Sequence, residues 1–114
     1  MNAMKNVLPL AAIGEIATGL ALFVAPPLVG RLLLGEELTG IAIPVARVLG
    51  IALIGLGVAC WPGTPRAGML TYSAGVTLYL AFFGMTVGGG ILLWPAVVLH
   101  AALTVMLVAK RRTK

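Results

Sequence analysis

The chain has 114 residues, of which 61% are hydrophobic and only 10% charged. A soluble domain carries about 25% charged residues, so the few charges here cannot clothe a water-soluble surface. That excludes an ordinary soluble enzyme, a disordered tail and a nucleic-acid module. A formal charge of +5 suggests nucleic acid at first sight, but its placement points to membrane topology instead. The lone cysteine, Cys60, excludes a disulfide framework, a CxxC redox pair and a thiolate metal cage.

Four apolar runs near twenty residues follow one another, the length a helix needs to cross hydrocarbon. The first, 7–25, closes at Pro26-Pro27, which cannot continue a helix. It carries Glu15 at its centre and Phe23 where a cleavage site would need a small residue, so it is read as a retained span rather than a signal peptide. The second run, 41–61, closes at Pro62-Gly63-Thr64-Pro65. The third, 67–87, ends at Gly88-Gly89-Gly90, read as a turn, and the fourth, 91–109, at Lys110-Arg111-Arg112. No open sheet edge survives in hydrocarbon and no period-2 alternation occurs, so all four are expected to be helices. Pro9, Pro44 and Pro95 fall near the first turns of their spans, where proline costs least. The expected fold is all-α membrane: one domain over 1–114, an antiparallel four-transmembrane-helix bundle.

Loop charges set the expected orientation. Lys5, Arg66, Lys110, Arg111, Arg112 and Lys114 lie on one side, and Arg31, beside Glu36 and Glu37, lies alone on the other. The basic side stays inside, which puts both termini in the cytoplasm of a cell with this chain in its plasma or inner membrane. Trp61 and Trp94 sit at span ends, where indole rings favour headgroups. The basic tail then touches anionic lipid rather than nucleic acid.

The outer connection, about 27–39, mixes Leu28, Leu32, Leu33 and Leu34 with Arg31, Glu36 and Glu37. Either a short interfacial helix or a loop folded over the bundle mouth satisfies both sets. Small residues recur four apart: Ala17, Ala21 and Ala25; Ala42, Ala46 and Gly50; Ser73, Thr77 and Ala81. Such rows let backbones approach where lipid offers no drive for association, and are read as packing.

Ionisable groups inside hydrocarbon are costly and must find partners. Counted at 1.5 Å per residue from each span's outer end, Glu15 lies about 15 Å deep, Arg47 about 9 Å, Tyr79 about 12 Å and His100 about 14 Å. This near-coincidence suggests one shared layer: a Glu15–Arg47 ion pair, with Tyr79 and His100 hydrogen-bonded around it and Thr18 and Thr104 joining. Tyr72, one heptad before Tyr79, extends the polar line inward. Removing one partner of the pair should then cost more than removing both, because a single deletion strands a charge. The cluster is either a lock on helix order or the lining of a ligand-binding or proton-passing cavity, His100 being its best proton carrier. Glu36 and Glu37 lack a third ligand at useful spacing and are read as a solvated loop. No nucleophile with a base, metal signature or phosphate loop occurs, so no metal, cofactor or reaction is assigned.

The segment Gly14-Glu15-Ile16-Ala17-Thr18-Gly19 through Ala25-Pro26, with Ala46-Arg47-Val48-Leu49-Gly50 leading to Gly55-Leu56-Gly57, resembles the first two helices of the DoxX-like small membrane proteins. The likeness covers about half the chain. It implies a four-helix membrane protein associated in some cases with respiratory or redox systems, and it singles out Arg47. Ala11-Ala12-Ile13-Gly14-Glu15 also resembles the first helix of the small multidrug-resistance transporters, whose third-helix Trp-x-Gly is replaced here by Tyr72-Ser73-Ala74-Gly75. The functional expectation is an intramembrane pocket of Glu15, Arg47, Tyr72, Tyr79 and His100 that binds a small amphipathic or lipid-like molecule. A small proton-coupled transporter and an accessory subunit of a larger membrane complex are the alternatives, and the partners expected are the lipid bilayer, such a ligand, and a second copy or a membrane complex.

Overall fold

A computed structural model describes the backbone of residues 2–61 and 64–113 and the side chains of 7–61 and 64–109. Pro62, Gly63 and Lys114, and the side chains of Lys5, Lys110, Arg111 and Arg112 used to read the orientation, lie outside the described residues. The protein is all-α, with helices α1 (Asn2–Val24), α2 (Pro26–Val29), α3 (Ala42–Cys60), α4 (Pro65–Thr86) and α5 (Leu93–Thr113). A π-helical turn, Gly30–Leu34, continues α2. Three helices are long and apolar enough to cross a membrane: α1 over Val7–Val24, α3 and α4; α5 has a shorter apolar part, Leu93–Ala109.

The helix ends follow local chemistry. Thr64 caps α4, its hydroxyl accepting from the Ala67 N–H at 3.1 Å, and Pro65 takes the first helical position, where a missing N–H costs nothing. Past α4 the chain reverses at Gly88, the one residue of the glycine triplet with positive φ (96°). Pro44 and Pro95 fall in first turns as expected, but Pro9 does not. Helix α1 begins at Asn2, so Pro9 lies inside it and leaves one carbonyl a turn earlier without its usual donor.

The long helices lie in a row. Helix α1 packs on α3, α3 on α4 and α4 on α5, while among the described residues α1 and α5 share no contact. The Cα trace spans 45 × 40 × 16 Å, a flattened arrangement of the antiparallel helices expected from the sequence. Helix α3 is the centre of the row because it carries small residues on two faces. A Cβ at Gly50 would stand 2.5 Å from the Gly19 carbonyl oxygen, and one at Gly19 equally close to that of Gly50. On the other side, a Cβ at Gly68 would lie 2.6 Å from the Gly55 carbonyl. Both crossings are backbone on backbone, the contact that glycine alone permits.

These crossings revise the small-residue rows. Ala46 and Gly50 are buried as expected, Gly50 against α1, but Ala17 and Ala21 are exposed. Helix α1 turns a different face to α3, with Ala12, Gly19 and Leu22 buried. A small residue permits close approach without choosing the face; Ile54 and Gly57 of α3 choose it by fitting Gly19 and Ala12.

The connection between α1 and α3 folds back on itself. Gly35 adopts φ 86°, and the returning chain crosses Gly30, where a Cβ would meet the Glu36 carbonyl oxygen at 2.6 Å. Leu32, Leu33 and Leu34 point outward, more than two-thirds exposed, while Pro26 is fully buried. The segment is therefore a helical turn with an apolar outer face, tucked against the ends of α1 and α3.

Candidate functional site

The site begins with a defect in α1. In an uninterrupted helix the Phe23 carbonyl would accept the N–H of residue 27, but Pro27 has none. Arg47 fills the vacancy from the neighbouring helix: its Nε donates to the Phe23 carbonyl oxygen at 3.0 Å. A cation at a helix C-terminus also meets the negative end of the helix dipole. The bond ties α1 to α3 four residues from the Gly19–Gly50 crossing.

From that anchor an open groove of about 680 Å³ runs along α3. Its floor is Arg47, Ile51 and Ile54, a stripe at i, i+4 and i+7. One wall is Phe23 and Val24 of α1; the other is Gly75, Leu78, Tyr79 and Phe82 of α4, again one helical stripe. The Phe23 and Tyr79 rings meet edge to face with centroids 5.7 Å apart, and Tyr79 leans on Phe83 at 6.3 Å. Three helices thus bring two polar side chains, Arg47 and Tyr79, into an otherwise apolar groove. Volumes of roughly 300–1,000 Å³ are typical of small-molecule sites.

Of the five residues read as one site, Arg47 and Tyr79 line this groove; Glu15, Tyr72 and His100 do not. Gly19 faces Gly50 and Ala12 faces Gly57, which sets Glu15 level with the far part of α3. Glu15 precedes Phe23 by eight residues, so it lies about 12 Å along the axis from the Arg47 contact. The expected Glu15–Arg47 ion pair is not formed; among the described residues the one ion pair is Arg31–Glu37, in the connection between α1 and α3. The depth count failed because it took Ala25 and Ile41 as one plane. Since Phe23 faces Arg47, α3 extends about four residues, or 6 Å, past the end of α1.

His100 and Tyr72 form a second, inner pair, with ring centroids 5.6 Å apart at 70°. The Ala96 carbonyl lies 2.8 Å from His100 Nδ1, and a carbonyl only accepts, so Nδ1 carries the proton. Tyr72 also rests against Gly55, one heptad along α4 from Tyr79. Thr104 does not join a network: its hydroxyl donates to the His100 carbonyl at 2.8 Å, and Thr71, Thr77 and Thr86 bond their own helices in the same way. Thr18 is exposed. The polar residues are therefore sorted into separate places, not gathered into one layer. No group of three potential metal ligands occurs among the described residues.

The Phe23 carbonyl is the partner of Arg47 that sequence reasoning missed. Its signal was present: a proline four residues on announces a carbonyl that needs a donor. Comparison with known proteins found no matching family model, no matching curated protein and no matching solved structure.

Proposed function

We propose that this chain is an integral membrane protein that holds a small amphipathic or lipid-like molecule in the groove between α1, α3 and α4. The observation that carries the reading is the groove's lining: two polar side chains, Arg47 and Tyr79, among the apolar Phe23, Ile51, Ile54, Leu78 and Phe82. Arg47 and Ile54 are seven residues apart, so the apolar floor extends about 10 Å toward the middle of the helices. A molecule with a polar head and an alkyl body satisfies both parts at once, whereas a wholly polar solute leaves the floor uncovered. The likeness of the second helix to DoxX-like proteins, centred on Arg47, agrees with this emphasis.

In the full reading α5 is the fourth span, both termini are cytoplasmic, and the membrane is the plasma or inner membrane. Arg47 and Tyr79 then lie toward the outer leaflet, below the connection carrying Arg31, Glu36 and Glu37. A second copy or a larger membrane complex is the partner favoured by the open row, since α1 and α5 each have one long-helix neighbour only.

Native mass spectrometry of the protein released from mild detergent tests the ligand reading. A bound amphiphile is expected on the wild type and absent from Leu78→Trp. Leu78 is 73% exposed, so the indole fills the groove without disturbing a helix crossing. A wild type free of any adduct, or an adduct unchanged in Leu78→Trp, contradicts the reading.

A further inference from the structure

We infer that the groove selects an anionic amphiphile, its carboxylate or phosphate oxygens seated on the terminal nitrogens of Arg47. The inference rests on the amphiphile reading above and adds the sign of the head group. The chain has three acidic side chains, Glu15, Glu36 and Glu37. Glu37 pairs with Arg31, and neither Glu15 nor Glu36 forms an ion pair with Arg47. The Phe23 carbonyl satisfies Nε but leaves the guanidinium charge uncompensated. The terminal nitrogens have no hydrogen-bond partner among the described residues, and the surrounding groove is mostly apolar. An unpaired charge in such surroundings is costly, so the site gains most from a ligand that supplies the missing anion.

Geometry narrows the head group further. A guanidinium is a planar fork that matches two oxygens of a carboxylate or phosphate. With Nε held on Phe23, the fork's position is set before a ligand arrives. Tyr79 also lines the groove, and its hydroxyl, without a hydrogen-bond partner among the described residues, is a further donor for that anion. No acidic side chain lines the groove, so nothing repels an anion and nothing balances a cationic head.

The test compares two probes with one chain, oleate and oleyl alcohol, by equilibrium dialysis against the detergent-solubilised protein at alkaline pH. Oleate is expected to bind about tenfold or more tightly, the scale of one charged hydrogen-bonded contact. Arg47→Gln should abolish the preference while still binding oleyl alcohol, which reports an intact groove; Arg31→Gln should keep the preference. Equal binding of both probes to the wild type overturns the anion inference and leaves the amphiphile reading standing. Failure of both probes to bind the wild type overturns the reading itself. A preference that persists in Arg47→Gln overturns the assignment to Arg47. Competition then names the source. Displacement of oleate by dioleoylphosphatidylglycerol supports a phospholipid, displacement by inorganic phosphate supports a free anion, and displacement by neither supports a fatty acid. The wild-type comparison needs no variant, so it stands even if Arg47→Gln does not fold.

Discussion

Replacing Arg47 by glutamine is expected to destabilise the protein by about 1.5–3 kcal/mol, the usual worth of a hydrogen bond to a charged donor. The loss falls on one joint. Without Nε, the Phe23 carbonyl that Pro27 leaves open loses its donor, while the Gly19–Gly50 crossing still holds α1 on α3. Glu15→Gln should be neutral or stabilising, because Glu15 is half-buried and accepts no hydrogen bond among the described residues. The two changes should add in the double variant within about 0.5 kcal/mol, as separated sites do. An ion pair would behave otherwise, with the double change milder than Arg47→Gln alone. Unfolding of all four proteins in bicelles separates the outcomes, and a double variant more stable than Arg47→Gln by clearly more than Glu15→Gln alone provides would restore the ion pair.

The second large effect belongs to glycine. Gly50→Ala is expected to destabilise by about 3 kcal/mol, the upper part of the usual range for overpacking. The new methyl would stand 2.5 Å from the Gly19 carbonyl oxygen, and backbone on a helix cannot yield as a side-chain tip can. Gly14→Ala is the internal control. No atom lies within 4 Å of its added methyl, so the change should be neutral or gain up to about 1 kcal/mol from helix propensity. Thermal melting of both variants in one detergent checks the contrast, and equal melting temperatures would show that the crossing bears little of the stability. Gly68→Ala should fall on the Gly50 side of that contrast, because the Gly55 carbonyl would lie 2.6 Å away.

The elements were legible because each apolar run is bounded by residues that stop helices for a stated reason. Pro26-Pro27, the stretch from Pro62 to Pro65 and the Gly88 reversal all fall within two or three residues of observed ends. The nearness of Arg47 and Tyr79 was legible too: a shared depth was read for them, and both line one groove. Their partners were not. Partnership depends on the axial register between helices, and the 26–41 connection sets that register by tucking Pro26 and Gly30 inward, a geometry no apolar count records. A displacement of four residues was enough to move Arg47 away from Glu15 and onto Phe23. The alanine row of α1 was misread for a related reason: Ala17 and Gly19 are both small, and only the Ile54 side chain of α3 distinguishes them. The open row was likewise hidden, because nothing in four apolar helices says that α1 and α5 stay apart.

Photolabelling in phosphatidylcholine nanodiscs with a long-chain alkyl probe carrying a diazirine at its tail end, followed by peptide mapping, distinguishes an occupied α1–α3–α4 groove from ordinary lipid-facing surface. For an occupied groove, labels are expected to concentrate on Ile51, Ile54 and Leu78, which line it, and to be competed away by excess unlabelled chain. Val105 and Met106 of α5 are exposed to a similar degree, 66% and 64%, outside the groove. Labelling spread as strongly over them, and unaffected by competitor, would contradict the account.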